Sequence, residues 1–233
     1  MLKKIKYILK PYRWLYYMLK NKLIIPEELQ IAKWSYSQFG EDLILDSYFE
    51  LQGITKGFYV EIGAFAPIHL SNTYFFYKKG WRGLCVEPNP LSFSELRDHR
   101  IQDTLLNIAV SDKNGTVDFI CDRAYSGIKD ESYLNYGTNS QKSIKVECRT
   151  LASILKENIP CGQSIEFMSI DCEGHEESIL RSNDWSHFRP QMLLVEDHVE
   201  NGTPSLLKLL QSVGYQKYGR SGVTSFFTDA MRV

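Results

Sequence analysis

Carboxylates gather at the ends of apolar runs in this chain. FYVEIG (58–63) closes on Glu61 and Gly63, GLCVE (83–87) on Glu87, SIDCEGH (169–175) on Asp171, Glu173 and His175, and LLVEDH (193–198) on Glu196, Asp197 and His198. Side chains of these types accept hydrogen bonds from hydroxyl groups, take up a proton, or ligate a hard cation. Any one of them alone is better explained as a helix cap or a solvated turn residue. Their recurrence at four strand ends points to a shared cleft.

Glu61 and Glu87 form the first informative pair, each closing an apolar strand of one strand-helix-strand unit. In dinucleotide folds the second acid of such a unit accepts hydrogen bonds from ribose hydroxyls, and Glu87 has that place. The intervening VEIGAFAPIHLSNT (60–73) keeps Gly63 but continues with Ala64, Phe65, Ala66 and Pro67 instead of further glycines. Phe65 and Pro67 obstruct close backbone approach, and Pro67 has no N–H to offer a pyrophosphate. A nucleoside cofactor without phosphates fits better. S-adenosylmethionine (AdoMet) has a ribose, an adenine and a cationic sulfonium, which suits an array of carboxylates that would repel NAD or ATP.

Alternating elements position these residues. SQFGEDLILDSYF (37–49) reads as a loop and a helix, GFYVEI (57–62) as a strand, and SNTYFFYKKG (71–80) as a helix ending at glycine. RGLCVE (82–87), DTLLNIAV (103–110), SIEFMSID (164–171) and QMLLVED (191–197) read as further strands of the sheet, with helices over LSFSELRDHR, EGHEESILRS and SLLKLLQSVGY. KNGTVDFI and SIKVECRT are shorter strand candidates, and QKYG with GVTSFFTD suggests a closing hairpin around Arg220–Gly222. Residues 121–142 are polar and read as a functional loop or lid, in which Tyr125, Tyr133 and Tyr136 can stack on a sugar ring or on each other. The pattern is α/β: an open, mostly parallel sheet covered on both faces, in a single domain over residues 34–233.

The first 33 residues differ. Residues 1–26 hold Lys3, Lys4, Lys6, Lys10, Arg13, Lys20 and Lys22 and no acid, in a chain of 233 residues whose net charge is −1. Their apolar positions recur at helical spacing, which suits peripheral contact with an anionic membrane surface; the alternative is a helical extension packed on the core or on another subunit. No apolar run is long enough to span a membrane. Cys85, Cys121, Cys148, Cys161 and Cys172 are odd in number and contain no CxxC pair. They argue against a disulfide framework or structural zinc, and for a reducing, cytoplasmic compartment, with the basic segment at the inner membrane surface. The near-neutral charge argues against a nucleic-acid partner.

Taken together, SQFGEDLIL (37–45), FYVEIGAFAPIHLSNTYFFYKKGWRGLCVEPNP (58–90), NIAVSDKNGTVDF (107–119), RTLASIL (149–155), SIDCEGHEESIL (169–180) and LLVEDH (193–198) resemble the FkbM family of AdoMet-dependent methyltransferases. The resemblance implies a class I, Rossmann-like sheet of seven strands with a reversed final strand, and O-methylation of sugars, glycans or natural-product precursors. It further implies that Glu61, Gly63 and Ala64 form the turn under the methionine part of AdoMet and that Glu87 holds the ribose. By the same resemblance, Asn107, Ala109 and Ser111 lie near the adenine, and Gln38 with Asn72 or Thr73 closes over the cofactor. Glu61 stands where the family frequently has Asp, and residues 1–33 lie outside the resemblance.

Methyl transfer to a hydroxyl requires an in-line acceptor and removal of its proton. Asp171, Glu173 and His175 lie beside the implied methyl site, with Asp171 also touching the cofactor. Glu196 and His198 point the same way by alternation, and Asp197 the opposite way. His198 or His175 is then the base, oriented by Asp171 and Glu196, with Glu173, His175 and His198 toward the acceptor. The metal alternative is Mg²⁺ on Asp171 with Glu196 or His198; the base is preferred. Two other readings stay open: a nucleotide-sugar or NAD enzyme on a similar sheet, and a non-catalytic module docking through its basic N-terminus.

Overall fold

The computed structural model describes residues 31–122, 126–129, 143–199 and 201–232, with isolated positions before them. The chain divides into two units, Met1–Trp34 and Ser35–Val233. In the first, the Ala32 N–H donates to the Glu28 carbonyl at 3.0 Å. The expected basic amphipathic helix and the tyrosines of the long loop lie almost wholly outside the described residues.

In the second unit a seven-stranded sheet runs in the order β10-β11-β9-β8-β1-β2-β3. Its strands are β1 (Phe58–Ile62), β2 (Arg82–Val86), β3 (Thr104–Leu106), β8 (Phe167–Ile170), β9 (Met192–Glu196), β10 (Tyr215–Ser221) and β11 (Thr224–Asp229). β1, β2, β3, β8 and β9 pair in parallel, and β11 alone runs antiparallel to β9. The sequence expectation of a mostly parallel sheet with a reversed final strand is met.

Among the described residues, six helices cover it: α1 (Glu41–Leu51), α2 (Tyr74–Lys78), α3 (Pro90–His99), α4 (Leu151–Asn158), α5 (Glu176–Arg181) and α6 (Pro204–Ser212). The pleat divides the strand residues between two cores. Val60, Ile62, Leu84, Val86, Met168 and Ile170 pack with Leu151, Ile154, Ile179, Leu180, Leu206 and Leu210 of α4, α5 and α6. Tyr59, Cys85, Phe167, Met192 and Leu194 pack with Leu45, Phe49, Phe76 and Leu96 of α1, α2 and α3. Phe167 anchors this second core, 4.9 Å from Phe76 and 6.1 Å from Phe49 between ring centroids. Cutting such a side chain to alanine costs about 3–5 kcal/mol.

Two expectations need correction. The single strand over 103–110 is broken: β3 stops at Leu106 and pairs with β2, while β4 (Ala109–Ser111) joins another sheet. Asn107 makes the break, because its Nδ2 donates to the Glu87 carbonyl at 2.8 Å and the Pro88 carbonyl at 3.1 Å. The other sheet, in the order β4-β7-β5-β6, was not expected as a separate unit. β5 (Gly115–Ile120) and β7 (Ser143–Thr150) pair antiparallel, and β6 (Gly127–Ile128) adds two residues from the stretch read as a loop. The closing hairpin is present, with β10 running to Ser221 and β11 starting at Thr224.

Candidate active site

Register brings the strand ends to one level. Ile62 is paired with Val86 and with Ile170, and Ile170 with Val195. Gly63, Glu87, Asp171 and Glu196 therefore follow at neighbouring positions along one edge of the sheet. A cavity of about 330 Å³ opens there, a size typical of small-molecule sites. Gly63, Asn72, Glu87, Asp171, Glu173, His175, Glu196 and His198 line it, as do Gln38 and Ala109.

The first half of the cavity is the turn after β1. Gly63 has φ 82°, and a Cβ there would lie 1.9 Å from the Asp171 carbonyl oxygen, so only glycine fits. Its N–H and that of Ala64 both donate to the Val86 carbonyl, at 2.9 and 3.1 Å. Glu87 Oε2 accepts the Phe65 N–H at 2.8 Å, and Oε1 accepts the Asn89 N–H at 2.7 Å. Burial pushes the Glu87 carboxyl up to about 7, against the pull of those two N–H bonds. Each Glu87 oxygen keeps a further lone pair for a hydroxyl.

Glu61 and Ala64 do not line the cavity, contrary to the expectation that both sit under the cofactor. The pleat turns Glu61 to the face of Tyr59 and Cys85, where its carboxylate accepts from Thr73 Oγ1 at 2.7 Å and Ser71 Oγ at 3.5 Å. Burial raises its carboxyl. Thr73 is occupied by that bond, and His69 is exposed away from the cavity lining. Asn72 does reach the cavity, with its Nδ2 donating to Ser169 Oγ at 2.9 Å. Asn107 and Ser111 also fall outside the lining: Asn107 bonds the β2 turn, and Ser111 Oγ donates to Asp112 at 3.3 Å. Near Ala109 the wall is apolar instead, formed by Ile108, Val110, Phe119 and Ile128, largely from the second sheet.

Gln38 is held at the rim by a turn wound on Asp42. That carboxylate accepts from Ser35 Oγ at 2.6 Å, the Tyr36 N–H at 2.7 Å and Ser37 Oγ at 2.9 Å. Glu41 accepts the Phe39 N–H at 2.7 Å and Thr224 Oγ1 at 3.2 Å, tying the rim to β11.

The second half of the cavity is acidic. Asp171 is open to the cavity but walled by protein elsewhere; this enclosure, and then repulsion from Glu196, raise its carboxyl well above the usual range. Glu173 adopts φ 52°, a left-handed conformation uncommon for a side-chain-bearing residue. Its carboxyl is pushed up to about 8 by enclosure and by Asp171 and Glu176. Glu196 is pushed up to about 7, mainly by burial. Its Oε2 is buried with no conventional donor, which a proton shared with Asp171 would satisfy. His198 Nε2 lies 3.4 Å from Glu196 Oε1. Asp197 turns away, accepting the Thr203 N–H at 2.6 Å and the Val199 N–H at 3.0 Å. His175 is buried at the N-cap of α5, and Glu176 caps the preceding loop by accepting the Cys172 and Gly174 N–H groups at 2.8 and 3.2 Å.

Two groups here have the donor chemistry for a hard cation. The ligand atoms of Glu173, Glu196 and His198 lie within 4.8 Å of one another, as do those of Asp171, Glu176 and Glu196. The trio named from sequence for Mg²⁺, Asp171, Glu196 and His198, is divided between them.

The residues present fit AdoMet. Gly63 leaves the turn bare, the Glu87 carboxyl in the cavity wall can accept from hydroxyls such as those of a ribose, and the acids suit a sulfonium. The cavity thus sits at the carboxyl edge of a seven-stranded sheet whose last strand is reversed, the arrangement of class I methyltransferases. Residues 61–217 match the model of the methyltransferase FkbM domain, and the chain belongs to that family. No curated protein matches the chain. Similar solved structures include a TehB-like SAM-dependent methyltransferase from Corynebacterium glutamicum, 10% identical over 82% of this chain and 88% of that one, with a TM-score of 0.42. The METTL16 methyltransferase domain is 12% identical over 81% and 66%, with a TM-score of 0.48. A putative O-methyltransferase from Klebsiella pneumoniae is 11% identical over 82% and 80%, with a TM-score of 0.45. Among the described residues, no helix is long and apolar enough to cross a membrane.

Proposed function

We propose that the protein transfers a methyl group from AdoMet to a hydroxyl oxygen of a sugar, in a glycan, glycolipid or related precursor. One observation carries the reading: a single cavity joins Glu87, placed for ribose hydroxyls, to an acidic end holding the Glu196–His198 pair. AdoMet, when bound, supplies a methyl group on a positively charged sulfur. Glu87 accepts the ribose hydroxyls, Gly63 lets the methionine part lie close to the turn, and Gln38 and Asn72 close the rim. Asp171 and Glu196 favour positive charge at the point where the two halves meet.

A sugar hydroxyl is a weak acid, so its proton must go to a base as the new C–O bond forms. His198 takes that proton, and Glu196, 3.4 Å away, orients the ring and stabilises the resulting imidazolium. Glu173 and His175 contact the acceptor; with its carboxyl near 8, Glu173 is a hydrogen-bond donor at neutral pH. Residues 1–26, rich in lysine, dock the enzyme on an anionic membrane surface, bringing it to lipid-linked acceptors.

The test is to incubate the full chain with methyl-labelled AdoMet and a glycolipid or neutral glycan fraction. Label in a stable sugar methyl ether is expected, together with calorimetric binding of S-adenosylhomocysteine (AdoHcy). Absence of AdoHcy binding, or label only on nitrogen or carboxylate acceptors, would overturn the reading. Sedimentation with anionic but not neutral vesicles is the expected outcome for the basic segment.

A further inference from the structure

Arg100 is the most completely buried cation among the described residues, at 0% exposure, and it lies outside the cavity lining. It follows α3 on the face of the sheet opposite α4, α5 and α6. Two of its contacts are to the scaffold: Nε donates to Asp103 at 2.9 Å, and Nη2 to the Tyr59 hydroxyl at 2.9 Å. The other oxygen contacts are to the stretch between Gly63 and α2. Nη2 donates to Thr73 Oγ1 at 2.7 Å, and Nη1 to the Pro67 carbonyl at 3.2 Å and Ser71 Oγ at 3.5 Å. The guanidinium also lies 4.8 Å from the centre of the Tyr77 ring.

This stretch carries Phe65, Leu70 and Asn72 into the cavity. It is also under backbone strain: Phe65 has φ 44° and Leu70 φ 58°, two of the three non-glycine residues in the left-handed region among those described. Such conformations persist only where the surroundings over-determine them. Phe65 is pinned from the cavity side by Glu87, and Pro67, Ser71 and Thr73 are pinned from behind by Arg100, with Glu61 sharing Ser71 and Thr73. A planar fork that reaches all these partners is available to arginine and not to lysine.

We infer that Arg100 is a positioning residue for the methyl donor: from behind the sheet it holds the 63–73 loop in the strained shape that forms the cofactor side of the cavity. The inference rests on the AdoMet reading of that cavity. Arg100 touches neither the donor nor the acceptor, so its effect falls on cofactor affinity and passes through the loop.

Calorimetric titration with AdoHcy, paired with thermal unfolding, tests this on the full chain. Arg100→Lys keeps the charge and loses the fork, Thr73→Val removes one loop-side partner, and Leu210→Ala weakens the core on the other face. Arg100→Lys is expected to bind AdoHcy at least ten-fold more weakly and Thr73→Val at least three-fold. Leu210→Ala is expected to bind within two-fold of wild type despite an equal or larger fall in Tm. If Arg100→Lys does not fold, Thr73→Val decides. Wild-type affinity in the folded variants overturns the inference, and so does an equal loss in Leu210→Ala. A wild-type chain that binds no AdoHcy removes the AdoMet reading itself and the inference with it.

Discussion

The two halves of the cavity are built on opposite principles. Around the β1 turn nearly every polar group is answered: Glu87 by two backbone N–H groups, Glu61 by two hydroxyls, Arg100 by five oxygens. At the ends of β8 and β9, burial first and then neighbouring acids raise the carboxyls of Asp171, Glu173 and Glu196, and a buried Glu196 oxygen lacks a conventional donor. Satisfied networks fix geometry, while crowded like charges store a demand for a proton or a cation. The first half is made to hold one shape and the second to respond to what enters.

The sharpest way to break this contrast is at its junction. Gly63→Ala would drive a Cβ into the Asp171 carbonyl at 1.9 Å and strain a φ of 82°. It should abolish AdoHcy binding and lower stability by about 3 kcal/mol or more, read by calorimetry and denaturant unfolding. Next in size is His198→Ala, expected to slow methyl transfer by roughly 10²–10⁴-fold while AdoHcy affinity stays within two-fold. Loss of cofactor binding in that variant would contradict the division of labour. Glu87→Ala should do the reverse, weakening AdoHcy by about 2–3 kcal/mol, or some 30- to 150-fold.

The smallest effect concerns pH. Glu196 and Glu173 hold their protons to about 7 and about 8 in the fold. In the unfolded chain they release them near the ordinary value for Glu, so the folded state binds more protons as pH rises from about 5 to 8, and stability falls through that window. Thermal unfolding without ligand should show this decline, and Glu173→Gln should flatten it. The gain above neutral pH is on the order of 1 kcal/mol, kept small because Glu173 faces the open cavity. A steeper decline in the variant would show that Glu173 is not part of the repulsive cluster.

The sequence shows the sheet well because apolar runs of β-branched and aromatic residues alternate with amphipathic helices, and an acid stands at the end of four of the strands, β1, β2, β8 and β9. It shows the cleft because the end of each parallel strand meets the same edge. It does not show which face each acid takes. Glu61 looks equivalent to Glu87 until the pleat places it with Tyr59, behind the loop. Asn107 hides a chain break inside an apolar run, because its effect depends on two carbonyls of the turn after β2. The second sheet is obscured because β5, β6 and β7 are separated by a polar stretch. Arg100 gives no local signal: its partners come from four separate segments. Glu176 was readable in principle, as an acid at the first turn of a helix beside two open N–H groups.

The pairing of β1 with β8 has a consequence for how the chain reaches this state. β1 and β2 are neighbours in sequence and can pair soon after both are made, whereas Tyr59 must find Phe167 and Glu61 must find Ser169 across a long intervening chain. Distant pairings form slowly because the loop they close is long. The loop that carries Gly63 should therefore mature first, and the acidic edge should arrive last, completing the cavity only when the carboxyl-terminal half docks. Pulsed hydrogen exchange during refolding should record protection in β2 before β8 and β9; the opposite order would refute it.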